Sequence, residues 1–449
     1  MHNEGVSGSG RPAVLGIDLG TSGVKVLLTS PGGAVLAQAA AGYPVTVPAP
    51  GRAESDPRDW WAATRRAVQA ALAGAGDPRP AVTGLAVAGQ MHGIVLADDR
   101  GAALRPAIVW LDQRATAEAA LYQELPCDYT APLGNRPSPG MAGPLLCWLA
   151  SHEPRTVRCA WWALQPKDWL RLRLCGQAAT DPTDASGTLL FDLARDAWAA
   201  PLIDKLGLPG DKLPPIRPSA AVAGQLLPGP AAELGLEPGA PVAVGAGDTP
   251  AALYAAGLGP DEALLNIGSG GQWVIPVRAL PAAGAPAARA TNLYRAVGEG
   301  YYRLAPVQNV GITLDWVRHL LGATWQELYD SAARPRRPGS PCFDPQLTPE
   351  RWNPGTASGG WTGLTLAHER DDLLRSALDG VAALLRQRLD DLRAVGHAPR
   401  QVVLGGGGAA NPAWHDLLQQ ALGLPLRPAP GSWLTASGAS RLASGAAGH

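Results

Sequence analysis

Short apolar runs alternate with longer amphipathic segments in the first part of the chain. The segment 56–76 predicts a helix, because Pro57 suits a first turn, apolar residues recur every three to four positions, and Gly74 suits an end. The apolar runs that predict strands are residues 14–28 (two runs joined by a Gly/Ser/Thr turn), 33–45, 82–89 and 107–114. Strands that alternate with helices in this way are typical of an α/β domain.

The same alternation returns after a Pro-, Gly- and Trp-rich middle region, residues 126–240. Strands are predicted at 241–246, 263–276 (a hairpin), 401–408 and 425–430, and helices at 371–395, at 412–423 and from near Thr435. The Pro/Gly-rich segment 209–241 predicts a domain boundary. We therefore expect a flexible leader (1–12), an N-terminal domain (13–240), a C-terminal domain (241–443) and a tail (444–449).

Composition supports a two-domain globular protein and argues against several classes of partner. With 449 residues, 46% of them apolar and 17% charged, the chain is long enough for two cores. The net charge is −1 without a Lys/Arg-rich run, so nucleic acid is not an expected partner. No apolar stretch is long enough to span a membrane, and the N-terminus does not resemble a signal peptide. Five scattered cysteines without a CxxC pair predict reduced thiols in a cytoplasmic protein.

Two glycine-containing hairpins have similar sequences. LGTSGVKVLL (19–28) and IGSGGQWVIP (267–276) both have the order strand, Gly-Ser/Thr-rich turn, strand, and each lies near the start of an α/β half. A ten-residue match is weak support for a duplication. It does favour two similar halves with a ligand-binding cleft between them.

The first hairpin has the chemistry of a phosphate site. Glycine lets backbone N–H groups approach phosphate oxygens, the hydroxyls of Thr21 and Ser22 can donate hydrogen bonds, and Lys25 adds positive charge. Asp18, just before the turn, could hold Mg²⁺ through water. The alternative is an ordinary turn, and a Walker A motif is absent. The second turn offers Gly268 and Ser269 without a basic residue.

Polar residues after two other strands suit a polyol ligand. Gln90 and His92 can hydrogen-bond hydroxyls, and Met91 can pack against a carbon skeleton. The alternative is a histidine that merely ends a strand. Asp112 and Arg114, two residues apart, also suit sugar hydroxyls, and their alternative is a surface ion pair.

Asp248, in VAVGAGDTPAALYAAG (242–257), has two interpretations. Local rules make it a helix cap, because Asp is favoured at that position and Pro suits the first turn. Its position between the two glycine hairpins makes a catalytic carboxylate the alternative. Neither a HExxH zinc motif nor a GxSxG nucleophile elbow occurs in the chain.

Taken together, several motifs resemble the FGGY carbohydrate kinases. GIDLGTSGVKVLL, DPRDWW, AGQMHG, RPAIVWLDQR, QPKDWLRLRLCG, TDPTDASGTLLFD, GAGDTPAA and GGGGAANPAW follow in the order of the family, over about residues 13–443. AGQMHG points to the xylulokinases within it. The chain departs from the family pattern with IGSG at the second turn, with Thr249 after the catalytic aspartate, and with TPERWNP at 348–354.

The resemblance implies a fold, a reaction and a set of partners. The fold would be α/β, with two ribonuclease-H-like (actin-like ATPase) domains and an interdomain cleft. The reaction would be an ATP- and Mg²⁺-dependent transfer of the γ-phosphoryl group to a sugar hydroxyl, with D-xylulose as the favoured substrate. A kinase for another ketose or polyol, such as ribulose, ribitol or glycerol, and a non-catalytic protein that binds sugar and nucleotide are the alternatives. A homodimer is compatible with the resemblance.

The resemblance also implies roles for individual residues. Asp248 corresponds to the catalytic base, and Asp18 to a carboxylate that holds the metal through water. The residues implied at the sugar are Gln90, Met91, His92, Trp60 and Asp112. The residues implied at the nucleotide are Thr21, Ser22, Gly23, Lys25, Gly268, Ser269, Gly407, Gly408 and Asn411.

Overall fold

The structure is a computed structural model that describes residues 10–281, 291–349, 357–407, 411–431 and 433–449. Gly408 and most of the TPERWNP segment lie outside the described residues.

Most of the elements predicted from the hydrophobic pattern are present in the described residues. The strands are β1 (Pro12–Leu19), β2 (Gly23–Thr29), β3 (Val35–Gly42), β4 (Glu54–Ser55), β5 (Ala81–Gly89), β6 (Val95–Ala97), β7 (Ala107–Ile108), β8 (Trp162–Leu164), β9 (Phe191–Asp192), β10 (Ala197–Trp198), β11 (Val222–Gln225), β12 (Pro241–Ala243), β13 (Ala246–Gly247), β14 (Glu262–Ile267), β15 (Gly271–Val277), β16 (Asn292–Arg295), β17 (Tyr301–Val307), β18 (Cys342–Asp344), β19 (Gly360–Thr362), β20 (Gln401–Gly405) and β21 (Leu426–Pro428). The helices are α1 (Pro57–Gly74), α2 (Thr116–Glu124), α3 (Cys127–Thr130), α4 (Ala142–His152), α5 (Pro154–Cys159), α6 (Pro166–Cys175), α7 (Pro182–Ala185), α8 (Ala200–Lys205), α9 (Pro228–Leu234), α10 (Asp248–Ala256), α11 (Gly311–Leu320), α12 (Trp325–Asp330), α13 (Arg370–Ala394), α14 (Pro412–Leu422) and α15 (Leu434–Ala446). The strand predicted over 107–114 is shorter than expected, because only Ala107 and Ile108 pair with β4.

The chain divides into two compact units. Unit 1 contains the described residues up to Ala255 together with Tyr294–Gly300 and Trp433–His449. Unit 2 contains Ala256–Leu293 and Tyr301–Ser432. The segment after residue 240, which the sequence suggested as the start of a second half, packs in unit 1 through β12, β13 and nearly all of α10.

Unit 1 is built on a mixed sheet with the order β11-β12-β5-β1-β2-β3, in which β13 also pairs with β5. β1, β2 and β3 form an antiparallel meander, while β5 runs parallel to β1. Helix α1 packs against β2 and β3. The carboxylate of Asp56 caps this helix by accepting the N–H of Arg58, and the predicted apolar face, which includes Trp60 and Ala67, is buried.

Helix α15 packs against β1 and β5 because two glycines allow a close approach. A Cβ on Gly16 would lie 2.3 Å from the carbonyl oxygen of Ala436, and one on Gly84 would lie 2.7 Å from that of Ala443. The hydroxyls of Thr29 and Ser440 are 2.5 Å apart and join β2 to the same helix. The last helix of the chain is therefore part of the core of unit 1.

Unit 2 repeats this arrangement in its own sheet, which contains the strand order β17-β15-β14-β20-β21. β14, β15 and β17 form an antiparallel meander, and β20 runs parallel to β14 as β5 does to β1. Helices α13 and α14 pack together and bury their apolar faces in the core. The similarity of the two glycine hairpins thus extends to the sheets that contain them.

Two further expectations concern membranes and thiols. Among the described residues, the helices are too short or too polar to cross a bilayer. All five cysteines of the chain are free thiols, two of them buried and three exposed.

Candidate active site

Three parallel strands of unit 1 end at one edge of its sheet. β5 lies between β1 and β13, and Leu19 and Gly247 are both opposite Gly89. The residues that follow these strand ends are Gly20, Gln90 and Asp248. Ligands of open α/β sheets bind beyond the carboxyl ends of the strands. The topology therefore gathers the first phosphate-type loop, the AGQMHG segment and Asp248 at one place.

The loop between β1 and β2 is a turn that is fixed by hydrogen bonds within the loop and from neighbouring segments. The N–H of Gly20 donates to the carbonyl of Gly23 (3.0 Å), and the N–H of Tyr43 donates to the carbonyl of Ser22 (3.1 Å). The carbonyl of Gly20 accepts the hydroxyl of Tyr43 and, at 3.4 Å, the amide of Gln90. The loop therefore has a fixed backbone, as a site for an anion requires.

The side chains of this loop differ in exposure and partners. The indole N–H of Trp110 donates to the hydroxyl oxygen of Thr21 (2.9 Å), which directs the hydroxyl hydrogen of Thr21 elsewhere. Ser22 is exposed. Lys25 is also exposed, and its ammonium group lies 6.0 Å from the centre of the Trp433 ring.

Asp18 and Asp248 are carboxylates with raised pKa values. Asp18 is buried on β1 and lies opposite Lys25 in the register of β1 and β2. Burial, followed by the negative charge of Asp248, raises the pKa of Asp18 to about 7, and Lys25 offsets only part of this. Burial also raises the pKa of Asp248 to about 6. Both groups thus titrate near neutral pH.

Asp248 is the first residue of α10, so it lies at the start of a helix, as local rules predict. One carboxylate oxygen, Oδ1, accepts the backbone N–H of Thr249 (2.6 Å) and its hydroxyl (3.2 Å). These hydrogen bonds lower the pKa of Asp248 and oppose the effect of burial. Thr249 therefore takes part in orienting the carboxylate.

The AGQMHG segment turns directly after β5. The N–H of Gln90 donates to the carbonyl of Leu19 (2.8 Å), so the segment is fixed to the end of β1. His92 has a left-handed backbone (φ 77°), which is uncommon for a residue other than glycine. Its Nδ1 lies 2.7 Å from the carbonyl oxygen of Gly187. Since a carbonyl only accepts, Nδ1 carries the proton, and Nε2 is an acceptor in the neutral ring.

Met91 is buried where small residues leave room for it. A Cβ on Gly247 would lie 2.8 Å from its Cγ and Sδ, and a Cβ on Gly187 would lie 3.0 Å from its Cε. Both glycines therefore shape the position of Met91 beside Asp248.

Trp60 and Asp112 are fully buried and have partners within the protein. The ring of Trp60 belongs to the core of unit 1, and its N–H donates to the hydroxyl of Ser55 (2.7 Å). The carboxylate of Asp112 accepts from the N–H of Ala53 (2.6 Å) and from the guanidinium of Arg114 (2.8 and 2.9 Å). The ion pair expected as the alternative for WLDQR is thus present, although it is buried.

The second glycine loop lies at the corresponding edge of unit 2. Gly268 and Ser269 are exposed after β14, and Gly406, after β20, packs against Ile267. Gly406 has φ 86°, and a Cβ there would lie 2.1 Å from the carbonyl oxygen of Ile267. Gly407 follows, and no atom of the described residues lies within 4 Å of a Cβ built on it. These loops are neighbours because β14 and β20 are parallel.

Asn411 is the N-cap of α14. Its side-chain oxygen accepts the N–H groups of Ala413 (3.0 Å) and Trp414 (3.3 Å), which is the usual function of Asn at this position. Its role at a nucleotide remains a prediction.

Two groups of residues near this edge had no predicted role. Tyr294 is buried, and the centre of its ring lies 5.9 Å from that of His92. Sequence offered no signal for Tyr294, because it is far from His92 along the chain. A buried ionic cluster, defined as Lys167, Asp168, Arg171, Asp181 and Asp184, lies within the quoted motifs QPKDWLRLRLCG and TDPTDASGTLLFD. The sequence signal that could have identified this ionic cluster is the presence of charged residues among apolar ones.

No group of three or more His, Cys, Asp or Glu side chains among the described residues is arranged to bind a metal directly.

Comparison with known proteins identifies the family. The model of the FGGY carbohydrate kinase N-terminal domain matches residues 13–255, and that of the C-terminal domain matches residues 269–447. A xylulose kinase of Escherichia coli strain K12 is 34% identical over 437 residues, which are 96% of this chain and 89% of that protein.

Solved structures share the fold over the same range. A xylulose kinase from Rhodospirillum rubrum is 29% identical with a TM-score of 0.85, over 96% of this chain and 89% of that one. A gluconate kinase from Lactobacillus acidophilus has a TM-score of 0.88 at 23% identity, over 97% of this chain and 89% of that one. The two α/β units have the FGGY, actin-like ATPase fold, and the chain belongs to the FGGY family of carbohydrate kinases.

Proposed function

We propose that this carbohydrate kinase transfers the γ-phosphoryl group of ATP to a hydroxyl of a pentulose, converting D-xylulose to D-xylulose 5-phosphate. The xylulose kinases from Escherichia coli and Rhodospirillum rubrum, at 34% and 29% identity, support this substrate. The AGQMHG segment, which points to xylulokinases, supports it independently.

One observation carries the proposal: Asp248 and the AGQMHG segment follow neighbouring parallel strands. A sugar held by Gln90, Met91 and His92 would then have a hydroxyl near the carboxylate. Asp248 and the AGQMHG segment are far apart in the sequence, so only the pairing of their strands brings them together. A residue that served only to cap a helix would not need to lie beside this segment.

Asp248 acts as the proton acceptor in this proposal. Its carboxylate accepts a hydrogen bond from the attacking sugar hydroxyl and takes the proton as the phosphoryl group is transferred. A pKa of about 6 leaves most of the group ionised at pH 7 and makes it a stronger base than an ordinary aspartate. The bond from the Thr249 N–H keeps Oδ1 fixed.

The sugar contacts follow from the donors and acceptors of the site. With its Nδ1 proton on the carbonyl of Gly187, a neutral His92 ring accepts a sugar hydroxyl through Nε2. Met91 offers an apolar surface to the carbon skeleton. Asp112 and Trp60 contribute by supporting the surrounding chain, since their own polar groups already have protein partners.

The residues of the first loop suit a phosphate with an associated cation. A buried carboxylate with a raised pKa, Asp18, is stabilised in its ionised form by added positive charge. We propose that Thr21, Ser22, Gly23 and Lys25 hold phosphate oxygens, and that Asp18 holds Mg²⁺ through water. The metal, when bound, neutralises the charge of the transferred phosphoryl group. Gly268, Ser269, Gly407 and Asn411 are proposed as further nucleotide contacts.

A panel of sugars tests the proposal directly. The purified full chain is mixed with ATP and MgCl₂ and with D-xylulose, D-ribulose, ribitol, glycerol or gluconate, and ADP release is followed by a coupled assay. We expect kcat/KM to be highest for D-xylulose. A preference for another compound contradicts the proposed substrate, and binding of sugar and ATP without product contradicts the proposed catalysis.

A further inference from the structure

Behind Asp248 in unit 1 lies a cluster of ionised groups that the proposed reaction does not use. The five side chains of the buried ionic cluster have no measurable solvent exposure. The ammonium group of Lys167 lies 2.6 Å from Asp168, 3.0 Å from Asp181 and 3.5 Å from Asp184. The guanidinium of Arg171 lies 3.4 Å from Asp168. Two cations therefore face three carboxylates.

A single hydroxyl joins this cluster to the backbone that precedes Asp248. The hydroxyl of Thr183 donates to Oδ2 of Asp181 (2.6 Å) and accepts the N–H of Gly247 (3.0 Å). Gly247 is the last residue of β13, and Asp248 is the next residue of the chain. Asp181 is held in turn by Lys167 and by the hydroxyl of Ser219 (2.6 Å).

The cluster and Asp248 are also linked electrostatically. Burial is the main cause that raises the pKa of Asp184, and the charge of Asp248 contributes to the shift. Lys167 opposes it. Asp184 is therefore close enough to Asp248 to be affected by its charge.

We propose that Thr183 is a positioning residue for the catalytic base: anchored by Asp181 and Lys167, its hydroxyl fixes the Gly247 N–H and thereby the carboxylate of Asp248. This inference rests on the proposed role of Asp248. Displacement of a reacting group by about 1 Å can reduce a rate about a hundredfold. A single hydrogen bond at the adjacent peptide is thus sufficient to affect turnover.

A contribution to the stability of the folded protein does not by itself explain the buried ionic cluster. Buried ion pairs lose about as much in desolvation as they gain in attraction, and apolar replacements often stabilise a protein. Their better attested use is to specify one conformation. Here the conformation specified is that of the chain leading into α10.

The test compares three variants of the full chain. Thr183→Val keeps the shape of the side chain and removes its hydroxyl, whereas Thr183→Ser keeps the hydroxyl. Ser219→Ala removes another donor to the same oxygen of Asp181 without touching Gly247. We expect Thr183→Val to lower kcat for D-xylulose about 10- to 100-fold with little change in the KM for ATP. Thr183→Ser restores most of kcat, and Ser219→Ala stays within about threefold of the unmodified protein.

Hydrogen–deuterium exchange provides a readout that does not depend on turnover. A peptide covering residues 244–252 should exchange faster in Thr183→Val than in the unmodified protein, and should be unchanged in Ser219→Ala. Equal kcat in Thr183→Val, equal losses in Thr183→Val and Ser219→Ala, or unchanged exchange of this peptide would each overturn the inference. If the unmodified protein phosphorylates no sugar, the proposed function fails, while the exchange measurement still decides whether Thr183 orders this segment.

Discussion

The negative charge of Asp248 raises the pKa of Asp18, although the two residues are 230 positions apart. They interact because β1 and β13 flank β5 and end at the same edge of the unit 1 sheet. Asp18 is buried and Asp248 is partly buried, and two such carboxylates that repel each other are costly unless a cation is bound nearby. This relationship leads to predictions about pH, stability and catalysis.

The pH profile should have an acidic limb near pH 6. The pKa of Asp248 is about 6, so the carboxylate takes up a proton as the pH falls through this value and no longer accepts the sugar proton. We expect kcat/KM to fall about tenfold per pH unit below about pH 6. The measurement is kcat/KM for D-xylulose from pH 5 to 8, with circular dichroism at each pH to verify folding. A constant kcat/KM down to pH 5 contradicts the assigned base.

Removing the charge of Asp18 should stabilise the protein at alkaline pH. The pKa of Asp18 is about 7 in the folded chain and about 3.9 in an unfolded one, so folding takes up a proton between these values. Stability therefore decreases as the pH rises from about 4 to 7. Asp18→Asn should melt about 3 °C or more above the unmodified protein at pH 8, with a much smaller difference at pH 4.

The matched control for this prediction is Asp99→Asn, which changes an exposed aspartate. Its melting temperature should follow that of the unmodified protein at both pH values. Asp18→Asn should also lose activity, because residues that a functional site needs often reduce the stability of the folded protein. An Asp18→Asn variant that is less stable at pH 8 would mean that burial does not disfavour this carboxylate.

Asp248→Asn separates the two interpretations of this residue. Asn caps a helix about as well as Asp, so the variant should fold and α10 should persist. It cannot accept a proton, and kcat should fall about 10²- to 10⁴-fold. Sugar binding by calorimetry should remain within a few-fold.

Asp56→Asn is the corresponding control, because Asp56 caps α1 and has no proposed catalytic role. Its kcat should be unchanged. Nearly normal turnover in Asp248→Asn would show that Asp248 is only a helix cap.

Gly187→Ala should weaken sugar binding. The added Cβ would lie 3.0 Å from Nδ1 of His92, 3.0 Å from Cε of Met91 and 3.2 Å from the carbonyl oxygen of Asp184. Crowding of this kind costs about 1–3 kcal/mol, which corresponds to a KM for D-xylulose about 5- to 150-fold higher. The KM for ATP should change little. Gly229→Ala, where no atom lies within 4 Å of the new Cβ, is the control and should be neutral.

Much of the local structure could be predicted from the sequence alone. The period of the apolar residues indicated α1, α13 and α14 nearly to their ends, because a helix that buries one face needs this spacing. The glycine hairpins were recognisable because two strand-like runs enclosed a turn-forming sequence. The order of the motifs identified the family, and local rules correctly placed Asp248 at a helix start.

Contacts between distant segments were decided only by the tertiary structure. The sequence suggested that Asp248 belongs to a C-terminal domain (241–443), yet β13 pairs with β5 and brings it beside Gln90 in unit 1. Similarly, no local pattern relates Tyr294 to His92 or Thr183 to Gly247. Periodicity reports which face of an element is buried, but not which strand becomes its neighbour. That choice depends on the packing of the whole sheet, and it determined which of the predicted residues lie together.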